Sequence, residues 1–438
     1  MTPEQIASLE PELMTFLEQF DHCFRQSRTR QYWQKYMMGL LADIPRKSIE
    51  PIALTAGVPV RTLQELLSHY RWDERRVQDT LQRLVADRIG QGQGLGIIDG
   101  TGHAKRGDKT PGVKRQWCGE TGKVDNCVVA QHLLYTDNHW SNPFSCMLDS
   151  DLYLPKEWAQ DRDRCRQAGI PDEVVYRPKW QIALQQVKAA LGNGIRFSWI
   201  VFDSEYGRIP SFWYGLDALG QRAVGEVPKD FRAWATPPAY RSWRSEHASR
   251  KVEDLVSHSP FFRQQAWRKI KVKTTTRGHV FLEVRAARVQ LVQGADPQGN
   301  LPGSPTDRRY WLIATRHPQT GETRYWVSNA PEDADLEEML RIALARWHVE
   351  KWFERAKQEA GLGAFEVRTY LSLLRHWLTC RVAMLFLACQ TRRLRGEKSA
   401  DHAGASGPGS QQPGVENLET MAERMEGLGR KMQILPAA

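Results

Sequence analysis

Three acidic residues have types and positions suited to metal-dependent chemistry on a phosphodiester. Asp99 and Asp203 each follow a run of apolar residues, and Glu350 lies in a helical segment between two basic residues. Carboxylates from separate elements can hold two divalent metal ions. One ion activates a water or a 3′-hydroxyl, and the other stabilises the leaving oxygen. The three acids therefore predict a site that acts on a nucleic acid strand.

The segment around Glu350 has the composition of a helix, because Ala, Leu, Arg, Lys and Glu dominate it and no proline interrupts residues 341–368. At about 100° per residue, Arg346, Glu350, Phe353 and Lys357 fall within roughly 60° of one another. Such a face is commonly a solvated one stabilised by ordinary ion pairs. Tryptophan and phenylalanine residues alternate with these charges, which favours a packed surface where a carboxylate can bind metal.

Two predicted strands position the aspartates. Residues 97–99 form a short apolar run that ends in Asp99, and residues 196–203 form a longer one that ends in Asp203. Continuous apolar runs are typical of strands covered on both faces, and open α/β sheets bind ligands at the carboxyl ends of such strands. An aspartate after a strand is often only a turn former. Two such strands in one chain favour a shared site.

Other acids near the aspartates are alternative ligands. Glu205 lies two residues after Asp203, where the same strand face would present it if the strand continued. Asp108 and Asp125 lie in the loop and hairpin that follow the first strand, and they are more typical of structural positions.

The charge balance favours a polyanionic partner. The chain of 438 residues has 61 Lys and Arg against 51 Asp and Glu, a net charge of +10. This excess favours nucleic acid before a membrane surface, although many proteins are mildly basic without such a partner. The segment after Asp99 contains Lys105 and Arg106 among glycines, a composition suited to a phosphate backbone and also to solvated turns.

The sequence lacks the usual signals of export. The first 20 residues are acidic and amphipathic, so no signal peptide is expected. No apolar run appears long enough to predict a bilayer span. The 7 cysteines occur singly, which predicts neither a disulfide framework nor a zinc ribbon. We therefore expect a cytoplasmic protein.

Residues 1–90 have helical apolar spacing, and one pair of helices within them has the outline of a helix-turn-helix. Residues 52–56, a turn at Gly57 and a second helix from about Arg61 to residue 68 make this pair. Arg61, Thr62 and Gln64 are candidates for DNA contact on the second helix. A plain helical hairpin in a bundle fits the same pattern.

Three motifs carry a resemblance to a known family. Residues 97–127, IIDGTGHAKRGDKTPGVKRQWCGETGKVDNC, and residues 200–207, IVFDSEYG, resemble the first and second aspartate blocks of DDE transposases of bacterial insertion sequences. In the similar subgroup the third acid lies in a Tyr-x2-Arg-x3-Glu-x6-Lys signature. Here Arg346, Glu350 and Lys357 have this spacing, and Ala343 occupies the tyrosine position.

The resemblance implies an RNase H-like catalytic core. Asp99, Asp203 and Glu350 would bind two Mg²⁺ or Mn²⁺ ions, while Arg346 and Lys357 would hold phosphates near the metals or orient the glutamate. It also implies double-stranded DNA as partner, both terminal inverted repeats and target, with a homodimer pairing two ends. No membrane partner is expected, and the protein would associate with the bacterial nucleoid.

The resemblance and the composition together predict an α/β protein in five parts. These are a helical DNA-binding domain at 1–92, the first part of the core at 93–221, a β-rich insertion at 222–330, the second part of the core at 331–395 and a mostly disordered tail at 396–438. The leading functional expectation is cut-and-paste transposition by metal-dependent strand cleavage and transfer. The alternatives are a hydrolytic DNA nuclease of the same fold and a non-catalytic DNA-binding regulator.

Overall fold

The computed structural model describes residues 8–88, 94–139, 143–235, 249–275, 278–294 and 303–405. These residues form a mixed α/β fold, which confirms the class expected from the sequence. The helices, in chain order, are α1 Leu9–Glu18, α2 Ser27–Leu41, α3 Ile49–Thr55, α4 Val60–Ser68, α5 Glu74–Arg88, α6 Lys156–Gln160, α7 Arg162–Gln167, α8 Lys179–Gly192, α9 Ser204–Gly207, α10 Pro210–Ala218, α11 Val252–His258, α12 Pro260–Arg263, α13 Leu336–Leu344, α14 Trp347–Glu359 and α15 Tyr370–Ala405.

One mixed sheet runs through the described residues. Its strands are β1 Gly94–Ala104, β2 Lys114–Cys118, β3 Lys123–Thr136, β4 Ser145–Leu152, β5 Phe197–Phe202, β6 Ala223–Val227, β7 Arg232–Trp234, β8 Arg250–Lys251, β9 Arg268–Thr275, β10 Gly278–Gln293, β11 Ser304–Arg316 and β12 Thr323–Ser328. The strand order is β2-β3-β1-β5-β6-β12-β11-β10-β7-β8, with β4 beside β3 and β9 beside β10. The strands β1, β5 and β6 are parallel to one another, and β3 and β4 extend this group in antiparallel pairs.

Asp99 lies within β1 rather than at its end, which corrects the short strand predicted from 97–99. The strand continues because Gly100, Thr101 and Gly102 pair with β3. A side chain at Gly102 would approach the Cα atom of Cys118 to 3.1 Å, so glycine allows this close passage. The parallel pairing of β1 with β5 stops just before Asp99. Asp99 therefore still lies at the carboxyl end of the parallel part of the sheet.

The helix predicted over 341–368 is divided in the structure. α13 ends at Leu344 and α14 begins at Trp347, with Arg346 between them in a helical backbone conformation. The second helix ends at Glu359, before Gly361, whose φ of 62° lies in the left-handed region. Arg346 therefore occupies the N-terminal boundary of the helix that carries Glu350.

The segment 222–330 is rich in strands, as expected, but its strands extend the sheet that carries the aspartates. β6 pairs with β5, and β12 then joins β6 to β11 and β10. The first residues after the predicted boundary at 222 thus lie beside β5. Two short helices, α11 and α12, also lie in this segment and were not predicted.

The last long helix, α15, is packed in the core against both the sheet and the N-terminal helices. Its Thr379 hydroxyl accepts a hydrogen bond of 3.2 Å from Trp33, and its His376 lies 2.8 Å from the hydroxyl of Tyr36. Its Arg375 guanidinium donates to the backbone carbonyls of Leu66 and Tyr70 at the end of α4. The helices of residues 8–88 and α15 thus share one apolar core.

The length and composition of part of α15 are also those of a membrane span. The part Tyr370–Arg395 is long and apolar enough to cross a membrane, which corrects the expectation that no apolar run is long enough. Because 78% of its most apolar window is buried inside the fold, it has the environment of a core helix. The helix extends to Ala405, so the beginning of the predicted disordered tail is helical, and residues 406–438 lie outside the described residues.

Candidate active site

Three acids lie in one row across the parallel strands. Ile98 of β1 is in register with Phe202 of β5, which is in register with Gly225 of β6. The residue that follows each of these in the chain is Asp99 within β1, Asp203 directly after the end of β5, and Glu226 within β6. The charge of Asp203 acts on both Asp99 and Glu226, so the three carboxylates are close to one another. The pairing of the parallel strands places these positions at the same edge of the sheet.

Arg346 connects this row to the helix that carries Glu350. Its guanidinium donates a hydrogen bond of 2.7 Å to Oδ2 of Asp99 and another of 2.5 Å to Oε1 of Glu350. The Asp99 side chain is 15% exposed and the Glu350 side chain is 60% exposed. The structure therefore brings Asp99, Asp203, Arg346 and Glu350 to one place, with the third acid at the open side.

The electrostatics of the row are those of carboxylates in a poorly solvated place. Burial, together with the nearby charge of Asp203, raises the pKa of Asp99 to about 7, although Arg346 acts against both. Burial also raises the pKa of Asp203, and the charge of Glu205 adds to the effect. For Arg346, burial lowers the pKa, but the charges of Asp99 and its neighbours outweigh burial and raise it. A cation among these acids is strongly favoured.

The carboxylate oxygens at this place are of the donor type that divalent metal ions prefer, but their present arrangement is not that of a metal site. Adjacent carboxylates whose pKa values are raised by burial need a compensating positive charge, and oxygen donors are those that Mg²⁺ and Mn²⁺ prefer. Within the described residues, no three His, Cys, Asp or Glu side chains are grouped closely enough to hold a metal. The guanidinium of Arg346 provides the positive charge between Asp99 and Glu350.

The alternative acids have other partners. Glu205 is exposed and forms an ion pair of 2.6 Å with Lys179, while its backbone N–H donates to the Asp203 carboxylate. Asp108 is exposed on the loop after β1. Asp125 accepts a 2.8 Å hydrogen bond from the backbone N–H of Asn126.

Glu226 was not singled out in the sequence. Burial raises the pKa of its carboxyl, and the charges of Arg324 and Arg346 act in the opposite direction. The only signal in the sequence is an acid in a short strand, AVGEV, since its place beside Asp203 depends on strand register. It adds a half-buried carboxylate to the surroundings of Arg346.

The basic residues predicted at the site occupy different environments. Lys357 lies at the far end of α14, 3.6 Å from the carboxylate of Glu120. Lys105 donates to the carbonyls of Gly363 and Phe365 at 2.8 and 2.9 Å, so its ammonium joins the loop after β1 to the segment after α14. Arg106 is exposed.

The predicted helix-turn-helix residues lie far from this site in sequence, on α4. The turn between α3 and α4 contains Gly57, whose φ is 62°. Arg61 is exposed and forms a 2.7 Å ion pair with Glu65. Gln64 is exposed and Thr62 is half-buried, on either side of buried Leu63. The surface of α4 thus presents polar side chains while its apolar face packs inward.

Two comparisons relate the chain to known proteins. The family model described as DDE superfamily endonuclease matches residues 19–279. The chain is also 24% identical over 360 residues, 81% of each chain, to the probable transposase for insertion sequence element IS701 of Microchaete diplosiphon. The family match includes Asp99 and Asp203 and ends before Glu350. The evidence that Glu350 belongs to the same site is therefore its hydrogen bond with Arg346.

Proposed function

Because the chain belongs to the DDE superfamily of endonucleases, we propose that it is the transposase of an insertion sequence, which cuts at the terminal inverted repeats of its element and joins the freed ends to target DNA. One observation carries this proposal. Asp99 is bonded through Arg346 to Glu350 on a separate helix, and Asp203 directly follows the strand that pairs in parallel with the residues before Asp99. The relative named as a probable transposase supports the same reading.

The strand order supports an RNase H-like core as part of this proposal. The strands β4, β3 and β1 are antiparallel neighbours, and β5 and β6 continue from β1 in parallel. Asp99 lies on the central strand and Asp203 directly after the next one. In this proposal residues 8–88 recognise the transposon end, and the β-rich segment after β6 covers the DNA beside the acids.

Asp99, Asp203 and Glu350 would hold Mg²⁺ or Mn²⁺ ions. When bound, the ions would activate a water or a 3′-hydroxyl and stabilise the leaving oxygen of the phosphodiester. Arg346 would leave the two acids and pair with a DNA phosphate, for which its planar guanidinium is well suited. Lys357, near the C-terminal end of the same helix, would bind a phosphate further along the DNA strand. A protein dimer would hold two ends together.

The test is cleavage of a duplex that carries the element's own terminal repeat, in Mg²⁺, in Mn²⁺ or in chelator. We expect metal-dependent cleavage at the end and joining to a second duplex, both reduced at least about 100-fold in Glu350→Gln. Glu354→Gln is a matched control, because Glu354 lies one turn further along α14 in an exposed ion pair with Lys351.

Each alternative function has its own outcome. Cleavage without joining of a 3′-hydroxyl end to target DNA would identify a hydrolytic nuclease. Specific binding of the end with no cleavage in any metal would identify a regulator, and the catalytic proposal would be wrong. Equal cleavage by wild type and Glu350→Gln would remove Glu350 from the site.

A further inference from the structure

An exposed aromatic residue stands on the hairpin formed by β2 and β3. Trp117 is 65% exposed, and Val124, directly opposite it in the strand register, is 52% exposed. Single exposed apolar residues are ordinary on protein surfaces. Two of them paired across a hairpin at the edge of the sheet are less ordinary, since exposed apolar side chains at a sheet edge favour association with other molecules.

The apolar pair lies on the same sheet face as Asp99. Asp99 is opposite His132 in β3, and the even-numbered residues of β3 from His132 to Val124 share that face. Val124 is in turn opposite Trp117 of β2. Eight steps of ~3.3 Å separate Val124 from His132 along β3, and Trp117 and Asp99 lie one strand to either side of β3, so Trp117 lies roughly 28 Å from Asp99. This distance corresponds to about 8 base pairs of duplex DNA at 3.4 Å each.

The hairpin is held firmly although its outer face is exposed. On the opposite face, Cys118, Cys127 and Val129 are buried in a small apolar cluster. The turn is closed by a 2.9 Å hydrogen bond from the Gly122 N–H to the Cys118 carbonyl. The carboxylate of Glu120 accepts from the backbone N–H of Ala104. A rigid exposed aromatic side chain loses little entropy when a partner covers it.

The charges around the pair are those of a surface that binds a polyanion. Arg115, which shares the Trp117 face of β2, is exposed, and so is Lys123, which precedes Val124 and is in register with Cys118 at the turn end of the other face. Residues 103–126 contain 6 Lys and Arg against 3 Asp and Glu. Of the three acids, Glu120 lies 3.6 Å from Lys357 and is thereby partly neutralised.

We propose that the β2–β3 hairpin is a second DNA-contact site, at which Trp117 and Val124 insert against an opened base step of the substrate duplex within about one helical turn of the cleaved bond. Apolar side chains inserted at a base step unstack it and bend the duplex, and an aromatic ring stacks on a base of any sequence. Arg115, on the same face, pairs with a flanking phosphate. This inference rests on the proposed function, because it needs DNA at Asp99.

The contact is tested on the terminal-repeat duplex with 5-iodouracil placed at single thymine positions on both sides of the cleaved bond. Ultraviolet crosslinking followed by trypsin digestion should label the peptide 116–123, which contains Trp117, at a position about 8 base pairs from the cleaved bond. In chelator, Trp117→Ala should bind the duplex about 5- to 100-fold more weakly than wild type, and Trp117→Phe should retain most of the affinity.

Val175→Ala is the matched control, since Val175 is 58% exposed and lies between α7 and α8, outside the β2–β3 hairpin. It should bind as wild type does. If wild type cuts the end while Trp117→Ala binds equally well and peptide 116–123 is never labelled, the hairpin inference is wrong and the proposed function stands. Reduced self-association of Trp117→Ala with unchanged DNA affinity would likewise overturn it in favour of a contact between copies. Wild type that neither binds nor cuts the duplex would overturn both proposals.

Discussion

Asp99 and Arg346 are joined by a hydrogen bond of 2.7 Å although 247 positions separate them in the chain. The same guanidinium also holds Glu350. A resident cation thus occupies the space between two acids that are proposed to bind metal. Removing one partner of a buried charged pair leaves the other uncompensated, which is costly. The protein without metal is therefore stabilised by a side chain that competes with metal.

Arg346→Ala is expected to separate metal binding from catalysis. Without the guanidinium, Asp99 and Glu350 lack a competing cation, so the DNA-free protein should bind Mn²⁺ at least as tightly as wild type. Cleavage of the end should fall about 100-fold, because no planar guanidinium remains to hold the phosphate. Titration of Mn²⁺ by electron paramagnetic resonance measures the first quantity, and the cleavage assay measures the second.

Arg346→Lys provides the control for charge. A single ammonium cannot bridge two carboxylates in the manner of a guanidinium, so intermediate cleavage is expected. If Arg346→Ala instead bound Mn²⁺ about tenfold more weakly than wild type, Arg346 would act by positioning Glu350 rather than by competing with metal.

Asp99 should make the stability of the metal-free protein dependent on pH. Burial raises its pKa from an ordinary 3.8 to about 7, so the folded state keeps a proton that the unfolded state releases between these values. The stabilisation is complete below about pH 4 and is lost as the pH rises through about 7. Asp99→Asn cannot titrate and loses the ion pair with Arg346 at every pH, so its free energy of unfolding minus that of wild type should rise by a few kcal/mol as the pH is raised from about 4.5 to 8.

Urea unfolding in chelator measures this difference at each pH. Asp108→Asn is a suitable control, because Asp108 is exposed on the loop after β1. Parallel stability curves for wild type and Asp99→Asn across this range would show that the carboxyl of Asp99 does not take up a proton on folding.

Lys105 and Arg106 should differ in what their substitution changes. Lys105→Ala removes two hydrogen bonds to the carbonyls of Gly363 and Phe365, so it should lower the free energy of unfolding by about 1–3 kcal/mol. Arg106→Ala should leave stability unchanged and reduce the salt dependence of DNA binding by about one phosphate contact. Thermal unfolding and salt titrations of binding distinguish the two. A loss of stability in Arg106→Ala would contradict the exposed position of that residue.

If α4 reads DNA as proposed, Gln64 is the candidate whose side chain can read a base. Its side chain is exposed beside buried Leu63, and glutamine can bond to both edge atoms of adenine. Gln64→Ala should reduce discrimination between the terminal repeat and random DNA by about 1–3 kcal/mol without lowering stability. Competition binding measures this discrimination. Arg61→Ala is compared in the same assay, because it removes a charged residue of the same helix. Equal discrimination by wild type and Gln64→Ala would exclude α4 as the reading helix at that position.

The parts of the site that follow from short apolar runs were visible in the sequence. The runs before Asp99 and Asp203 predicted two strands, and both strands are present as neighbours in the sheet. The spacing of Arg346 and Glu350 predicted a shared helical face, and the two side chains are indeed bonded. These features depend on local periodicity, which a sequence displays directly.

The parts that depend on register were not visible. Glu226 is next to Asp203 only because Gly225 is in register with Phe202. The break between α13 and α14 was missed because no proline or glycine marks it in ALARWH. The bond from Arg346 to Asp99 joins elements whose relative position depends on the whole sheet, so spacing along the chain carried no information about it.

The contacts of Arg375, Trp33 and Tyr36 between α15 and the N-terminal helices have a consequence for engineering. A chimera joined near residue 92 would exchange the helices proposed to read DNA but separate them from α15, which completes their apolar core. Retargeting this protein to another element therefore requires co-transfer of α15 or redesign of the contact between them. Substitutions in the N-terminal helices and in α15 are therefore expected to accompany one another during evolution, because the two parts share one core.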